Sequence, residues 1–224
     1  MAATRFKWAA SSLCDPSRLY CRGEVMSRPN PVPKRSGVYA WYFKEPPPGI
    51  DTRHCHTSDG KTLLYIGIAP RPPYADGRNS RQTLSKRLRT HCGGNAAGST
   101  LRQTLGCLLG EKLSIALRRV GSGGRYTFTN PGECTLDDWM AENAYVTWLE
   151  DDSPWEIEGM LLKSNLTLPL NISGNPRDDL CMYLSKVRSL ARERAAALPA
   201  LSDSGGPRRR HPDTAGSARP LPLE

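Results

Sequence analysis

Two short runs in the first third of the chain limit its architecture more than any other feature. Gly37-Val38-Tyr39-Ala40-Trp41-Tyr42-Phe43 and Leu63-Leu64-Tyr65-Ile66-Gly67-Ile68 are dense in aromatic and β-branched side chains, which favour an extended, buried backbone. Pro46-Pro47-Pro48-Gly49 stops the first run, and Asp59-Gly60 supplies turn chemistry ahead of the second. No helical pattern lies between them, so they are expected to form an antiparallel pair with an enlarged loop.

The remaining patterns are mostly helical. A Pro-rich, extended lead-in (Met26 to Lys34) precedes the first run. Ser80 to His91 carries Leu84 and Leu88 at i, i+4 and ends at Gly93-Gly94. Ser99-Thr100 is placed to cap a helix from Leu101 to Leu109. Leu113–Val120 and Tyr126–Thr129 supply a third strand or a hairpin of their own. A helix is expected from Leu136 to Asn143, capped by Thr135 with Asp137 and Asp138 in its first turn, followed by a strand at Tyr145–Leu149. Ser153-Pro154 opens a helix running to about Asn165, and a last helix spans Arg177 to Ala197. The fold class is therefore α+β: a small central antiparallel sheet of about three strands, flanked by helices, with helical additions at both ends. Residues 1–28, with Trp8 and Leu13, read as an N-terminal arm or helix, and 29–198 as one domain. Residues 199–224, rich in Pro and Arg, read as a disordered tail.

Charge narrows the partner. Lys and Arg number 31 against 22 Asp and Glu, a net charge of +9, which favours a polyanion. Between Arg71 and Arg102 there are seven basic residues against the single acid Asp76, whereas Glu133 to Glu158 holds nine acids and no Lys or Arg. One face is expected to attract phosphates and another to repel them. Arg71, Arg78, Arg81, Lys86, Arg89 and Arg102 are the candidate nucleic-acid contacts. The longest apolar run, Leu63 to Ala69, has seven residues, against the ~20 needed to span a membrane. Seven cysteines without a CxxC pair argue against a disulfide framework and for a reducing, cytoplasmic setting. Zinc is disfavoured: His54-Cys55-His56 and His91-Cys92 would crowd a tetrahedral ion.

Gly37-Val38-Tyr39 and Tyr65-Ile66-Gly67, each inside a strand, resemble the paired motifs of the GIY-YIG nuclease family. The agreement extends in order along the chain: Arg87 and His91 one turn apart on the next helix, Glu158 leading Glu-Gly-Met-Leu-Leu-Lys, and Leu168-Pro169-Leu170-Asn171 similar to the family's closing element. It covers roughly residues 36 to 172. Val38 replaces the family's Ile, and the 26-position separation of the tyrosines is long; with the Arg–His pair, it looks more like the restriction-enzyme branch.

The resemblance implies the GIY-YIG fold and an endonuclease hydrolysing phosphodiester bonds of DNA, duplex foremost, at a site with one divalent ion, Mg2+ or Mn2+ in its place. Phosphodiester hydrolysis independently calls for such groups: a positioned water, neutralisation of the phosphoryl oxygens and help for the leaving oxygen. Glu158 suits one Mg2+, which keeps much of its water shell, and Arg87 presents a planar fork to phosphate oxygens. The resemblance implies that Tyr39 activates or orients the water, although a phenol of pKa about 10 needs nearby cations to ionise. Tyr65 is expected to orient water or phosphate, His91 to relay a proton or contact phosphate, and Asn171 to brace the metal-bearing helix or touch the scissile region. Alternatives stay open at each place. The tyrosines also suit plain strand aromatics, Arg89 or Arg81 could hold the role of Arg87, and Glu156 competes with Glu158. His91 also suits a dipole-favoured helix end, and Asn171 a loop cap. Target specificity would reside in the 44–62 insert and the 71–81 basic loop. The competing functions are a nucleic-acid-binding module of the same fold without catalysis, and an interaction protein docking through its acidic face.

Overall fold

The aromatic runs do pair, and they form the middle of a larger sheet. A computed structural model describes residues 2–75, 80–122 and 124–205. In chain order these form α1 (Ala2–Cys14), β1 (Tyr20–Cys21), α2 (Arg22–Met26), β2 (Gly37–Phe43), β3 (Thr57–Ser58), β4 (Lys61–Ala69), α3 (Leu84–Gly93), α4 (Thr100–Leu108) and α5 (Gly110–Leu113). There follow β5 (Arg118–Val120), β6 (Arg125–Thr127), α6 (Thr129–Asn143), β7 (Ala144–Glu150), α7 (Pro154–Leu162) and α8 (Asp178–Ala196). The main sheet is antiparallel with order β1-β7-β2-β4-β3; β5 and β6 make a separate hairpin. Since β1 and β3 hold two residues each, the weight rests on β7, β2 and β4, each expected as a strand, while the stretch expected to give a third strand or a hairpin gives the hairpin. Asp59 and Gly60, both at positive φ, turn β3 tightly into β4.

β2 is the central strand, and all seven of its residues are buried. Its alternation divides the core in two. Tyr39, Trp41 and Phe43 point into a cluster completed by α3, α4 and α6, including Leu88, Leu105 and Leu136. Val38, Ala40 and Tyr42 point the other way, against Ala9 and Leu13 of α1 and Ile157 and Leu161 of α7. The Tyr42 hydroxyl donates to the Leu13 carbonyl at 2.6 Å and so docks the end of α1. Trp8, on the outer side of that helix, is 51 % exposed.

Several expectations need correction. α6 begins at Thr129, not near Leu136, because Pro131 falls within its first turn, where a missing N–H costs nothing. Thr135 is therefore no cap, and Asp137 and Asp138 lie in mid-helix. The stretch 113–120 is a strand only from Arg118: α5 ends at Leu113, and Ser114, at positive φ, turns the chain after it. α7 ends at Leu162 instead of about Asn165. The expected tail begins in contact with the domain: Leu201 N donates to Arg119 O at 2.9 Å and Asn130 N to Ser204 O at 2.6 Å. The rest of it, 206–224, lies outside the described residues.

Candidate active site

Opposite residues on paired antiparallel strands share a face. Tyr39 is registered with Gly67, and Trp41 with Tyr65, so the two motif tyrosines are diagonal neighbours with ring centroids 6.4 Å apart. The motif glycines follow from this geometry. A Cβ on Gly67 would lie 2.5 Å from Tyr39 Oη; one on Gly37 would run into the Leu149 carbonyl of β7 and the Leu84 side chain of α3. Gly67 is the notch in which the Tyr39 hydroxyl lies, and Gly37 allows β7 and α3 to close on β2.

Thr83 caps α3 by accepting from Lys86 N, and the helix presents Arg87 and His91 one turn apart. Arg87 Nε donates to Tyr39 Oη at 3.4 Å, and its Nη1 to the Gly98 carbonyl at 3.2 Å. His91 is fully buried, with Nε2 2.8 Å from Tyr39 Oη and Nδ1 2.7 Å from Ser99 Oγ. Burial first, then the Arg87 and Arg102 charges, hold the imidazole well below its usual pKa, so it is neutral. Ser99 Oγ already accepts the Arg102 backbone N–H, leaving His91 Nδ1 as the acceptor for its own proton. A buried hydroxyl denied an acceptor costs about 1–3 kcal/mol. His91 therefore carries its hydrogen on Nε2 and gives it to Tyr39 Oη. It stands behind Tyr39 with no surface exposed to solvent.

Tyr39 Oη thus accepts from two donors, and its own proton is turned toward the space shared with Tyr65 and Glu158. Burial raises both phenols above their usual pKa; the Arg87 charge opposes this, and Glu158 adds to it. The Tyr65 hydroxyl is also reached by Thr100 at the start of α4. Glu158, half-buried on α7, has no hydrogen bond or ion pair to its carboxylate among the described residues. Desolvation pushes its pKa up to about 7. A half-buried carboxylate, unpartnered among the described residues and close to two phenols, suits a divalent cation. Among the described residues no group of three or more His, Cys, Asp or Glu converges. One carboxylate completed by water and phosphate oxygens fits Mg2+, a hard ion that seldom takes an all-protein cage.

Glu156 does not compete, because it is exposed and paired with Arg5 Nη1 at 2.5 Å. Asn171 is buried, with both ends of its amide taken up by backbone: its Oδ1 accepts from Ile66 N and its Nδ2 donates to Ile66 O, both at 2.9 Å. It acts as an extra ladder partner for β4 beside Tyr65, and among the described residues its side chain makes no bond to α7.

Arg102 is a clear correction to the expected nucleic-acid surface. It is wholly buried, with its guanidinium bound to Glu133 at 2.7 Å, Asp137 at 2.6 Å and the His91 carbonyl at 3.1 Å. Arg22 closes the network on Asp137 at 2.8 Å. The expected acidic face dissolves in part for the same reason, since Glu133 and Asp137 are internal. Arg71, stacked 3.9 Å over the Tyr74 ring, Arg81 and Lys86 are exposed, and Arg89 is half-buried. Arg78 lies outside the described residues. Ser99 was legible only as a helix cap, which it is; its bond to His91 left no trace in the sequence.

A GIY-YIG catalytic domain model matches residues 37–190, well over half of the chain. Comparison with curated proteins and with solved structures gave no match. With the motif strands paired and their side chains gathered as described, the chain belongs to the GIY-YIG family of nucleases.

Proposed function

We propose that this protein is a Mg2+-dependent endonuclease that hydrolyses phosphodiester bonds of duplex DNA with a single metal ion at Glu158. The observation that carries the reading is the gathering of Tyr39, Tyr65, Arg87 and Glu158 around one space at the rim of a basic surface.

The chemistry follows from the side chains. Water adds to phosphorus, a bridging P–O bond breaks, and the products are a phosphomonoester and an alcohol. Arg87 offers the outer edge of its guanidinium to the non-bridging oxygens. Tyr39, fixed by His91 and Arg87, orients the attacking water. Those two donors favour phenolate, so they lower the cost of Tyr39 first releasing its own proton to solvent and then, as phenolate, accepting the proton of that water. Tyr65 lines the same space and fixes the substrate oxygen. A divalent ion held by Glu158 would supply the remaining positive charge for the phosphoryl and leaving oxygens.

The test is conversion of supercoiled plasmid to nicked or linear forms with Mg2+, with and without EDTA. Wild type is expected to cut only with free metal, and Glu158→Ala to bind DNA without cutting. Normal cutting by Glu158→Ala refutes the metal assignment. A second reading, binding without cleavage, draws on one observation: burial holds Tyr39 far from ionising. It predicts retention of intact plasmid by wild type at every metal tested.

A further inference from the structure

Helix α8 buries Leu184 and Ala195 completely, and between them, on the same stripe, stands Arg188. The helix lies across α4. Arg188 Nη2 donates to Gln103 Oε1 at 2.9 Å, and Arg192, one turn further, donates through its Nη2 to the same oxygen at 3.1 Å. Gln103 itself is 4 % exposed. Among the described residues no carboxylate lies within ion-pair distance of either guanidinium. Like charges at i, i+4 on a helix repel, and both burial and the Arg192 charge make the Arg188 cation harder to hold. A Glu at position 103 would cancel this cost. Gln supplies the acceptor without the charge, so two oriented guanidiniums keep their positive field.

The pair adjoins the site already described. Arg188 lies near enough to the Tyr65 phenol to interact with it electrostatically. On α4, Thr100, which reaches Tyr65, and Gln103 are three residues apart on one face, about 4.5 Å along the axis. Resting on the nuclease reading above, we propose that Arg188 and Arg192, oriented by Gln103, form a phosphate clamp that grips the nucleic-acid backbone next to the scissile position. The guanidinium edges not spent on Gln103 match phosphate oxygens bidentately. This clamp lies on the C-terminal helix, outside the basic segment Arg71–Arg89.

The test is anisotropy of a fluorescent 20-base-pair duplex in EDTA, titrated at several salt concentrations, with wild type, Gln103→Glu and Arg192→Gln. Each phosphate neutralised contributes about 0.9 to the slope of log K against log salt. Gln103→Glu is expected to hold or raise the melting temperature, because it pairs both arginines, while weakening binding about tenfold and lowering the slope by 1–2. Arg192→Gln, an exposed change that spares the fold, should lower the slope by about 1. Unchanged affinity and slope in both variants overturn the clamp and leave the nuclease reading intact. Absence of wild-type binding at low salt overturns the nuclease reading, and the clamp with it.

Discussion

Substituting Ala for Gly67 tests the packing logic of the site with one methyl group. The added Cβ would lie 2.5 Å from Tyr39 Oη, 2.6 Å from Cζ and 2.9 Å from Cε2, whereas ordinary contacts begin near 3.4 Å. The hydroxyl must therefore retreat by about 0.9 Å. Tyr39 is 1 % exposed and tied to His91 at 2.8 Å, so this shift strains or breaks that bond, which weakens steeply beyond ~3.2 Å. Overpacking of this kind costs ~1–3 kcal/mol, a fall in Tm of a few degrees for a chain of this size. A misplacement of ~1 Å at a reacting group costs on the order of 100-fold in rate. The assay is single-turnover nicking with saturating enzyme, alongside a melting curve and DNA affinity. We expect a folded protein with wild-type affinity that cuts about two orders of magnitude more slowly. Wild-type cutting by Gly67→Ala would show that the Tyr39 hydroxyl need not occupy that notch.

Three further outcomes follow. Burial lifts the Glu158 carboxyl from 4.5 to about 7, so the folded state holds the extra proton; metal-free stability falls as pH rises from 4.5 to 7 and is level above. Glu158→Gln lacks that fall and should be more stable than wild type at pH 8 by at most about 3 kcal/mol, with Mg2+ raising the Tm of wild type alone; identical pH-stability curves refute this. Ser99→Ala removes both a helix cap, worth ~1 kcal/mol, and the donor to His91 Nδ1, and should slow cutting about tenfold; 15N NMR of wild type should show the imidazole proton on Nε2, and a proton on Nδ1 contradicts the assignment. Arg102→Met takes the buried countercharge from Glu133, while Asp137 keeps Arg22, and should cost about 3–5 kcal/mol by calorimetry without altering the salt dependence of DNA binding, which a phosphate-contacting Arg102 would alter.

Where local pattern decides, the sequence was a good guide. β2, β4 and β7 announced themselves through aromatic and β-branched runs, and the one-turn spacing of Arg87 and His91 placed both on the inner face of α3. Charge was a poorer guide, because sequence reveals sign and not depth. Arg102 sits among residues that read as a phosphate-binding stripe, yet its partners are 31 and 35 positions away on α6, a distance no local rule bridges. The start of α6 was hidden by Pro131, normally a breaker, which the first turn tolerates. Asn171 belonged to the right neighbourhood, but its bonds to Ile66 are 105 positions apart in the chain. The Arg188–Gln103 contact, 85 positions apart, needed the fold before it could be seen.

β2 is laddered on both sides, to β4 and to β7, and it carries Tyr39. Central strands of this kind open only with global unfolding, while edges and loops open at far lower free energy. The Tyr39 phenol therefore sits on a strand expected to exchange with the most stable part of the molecule, so that fluctuations of the long 44–62 connection, whatever they accommodate, leave it seated.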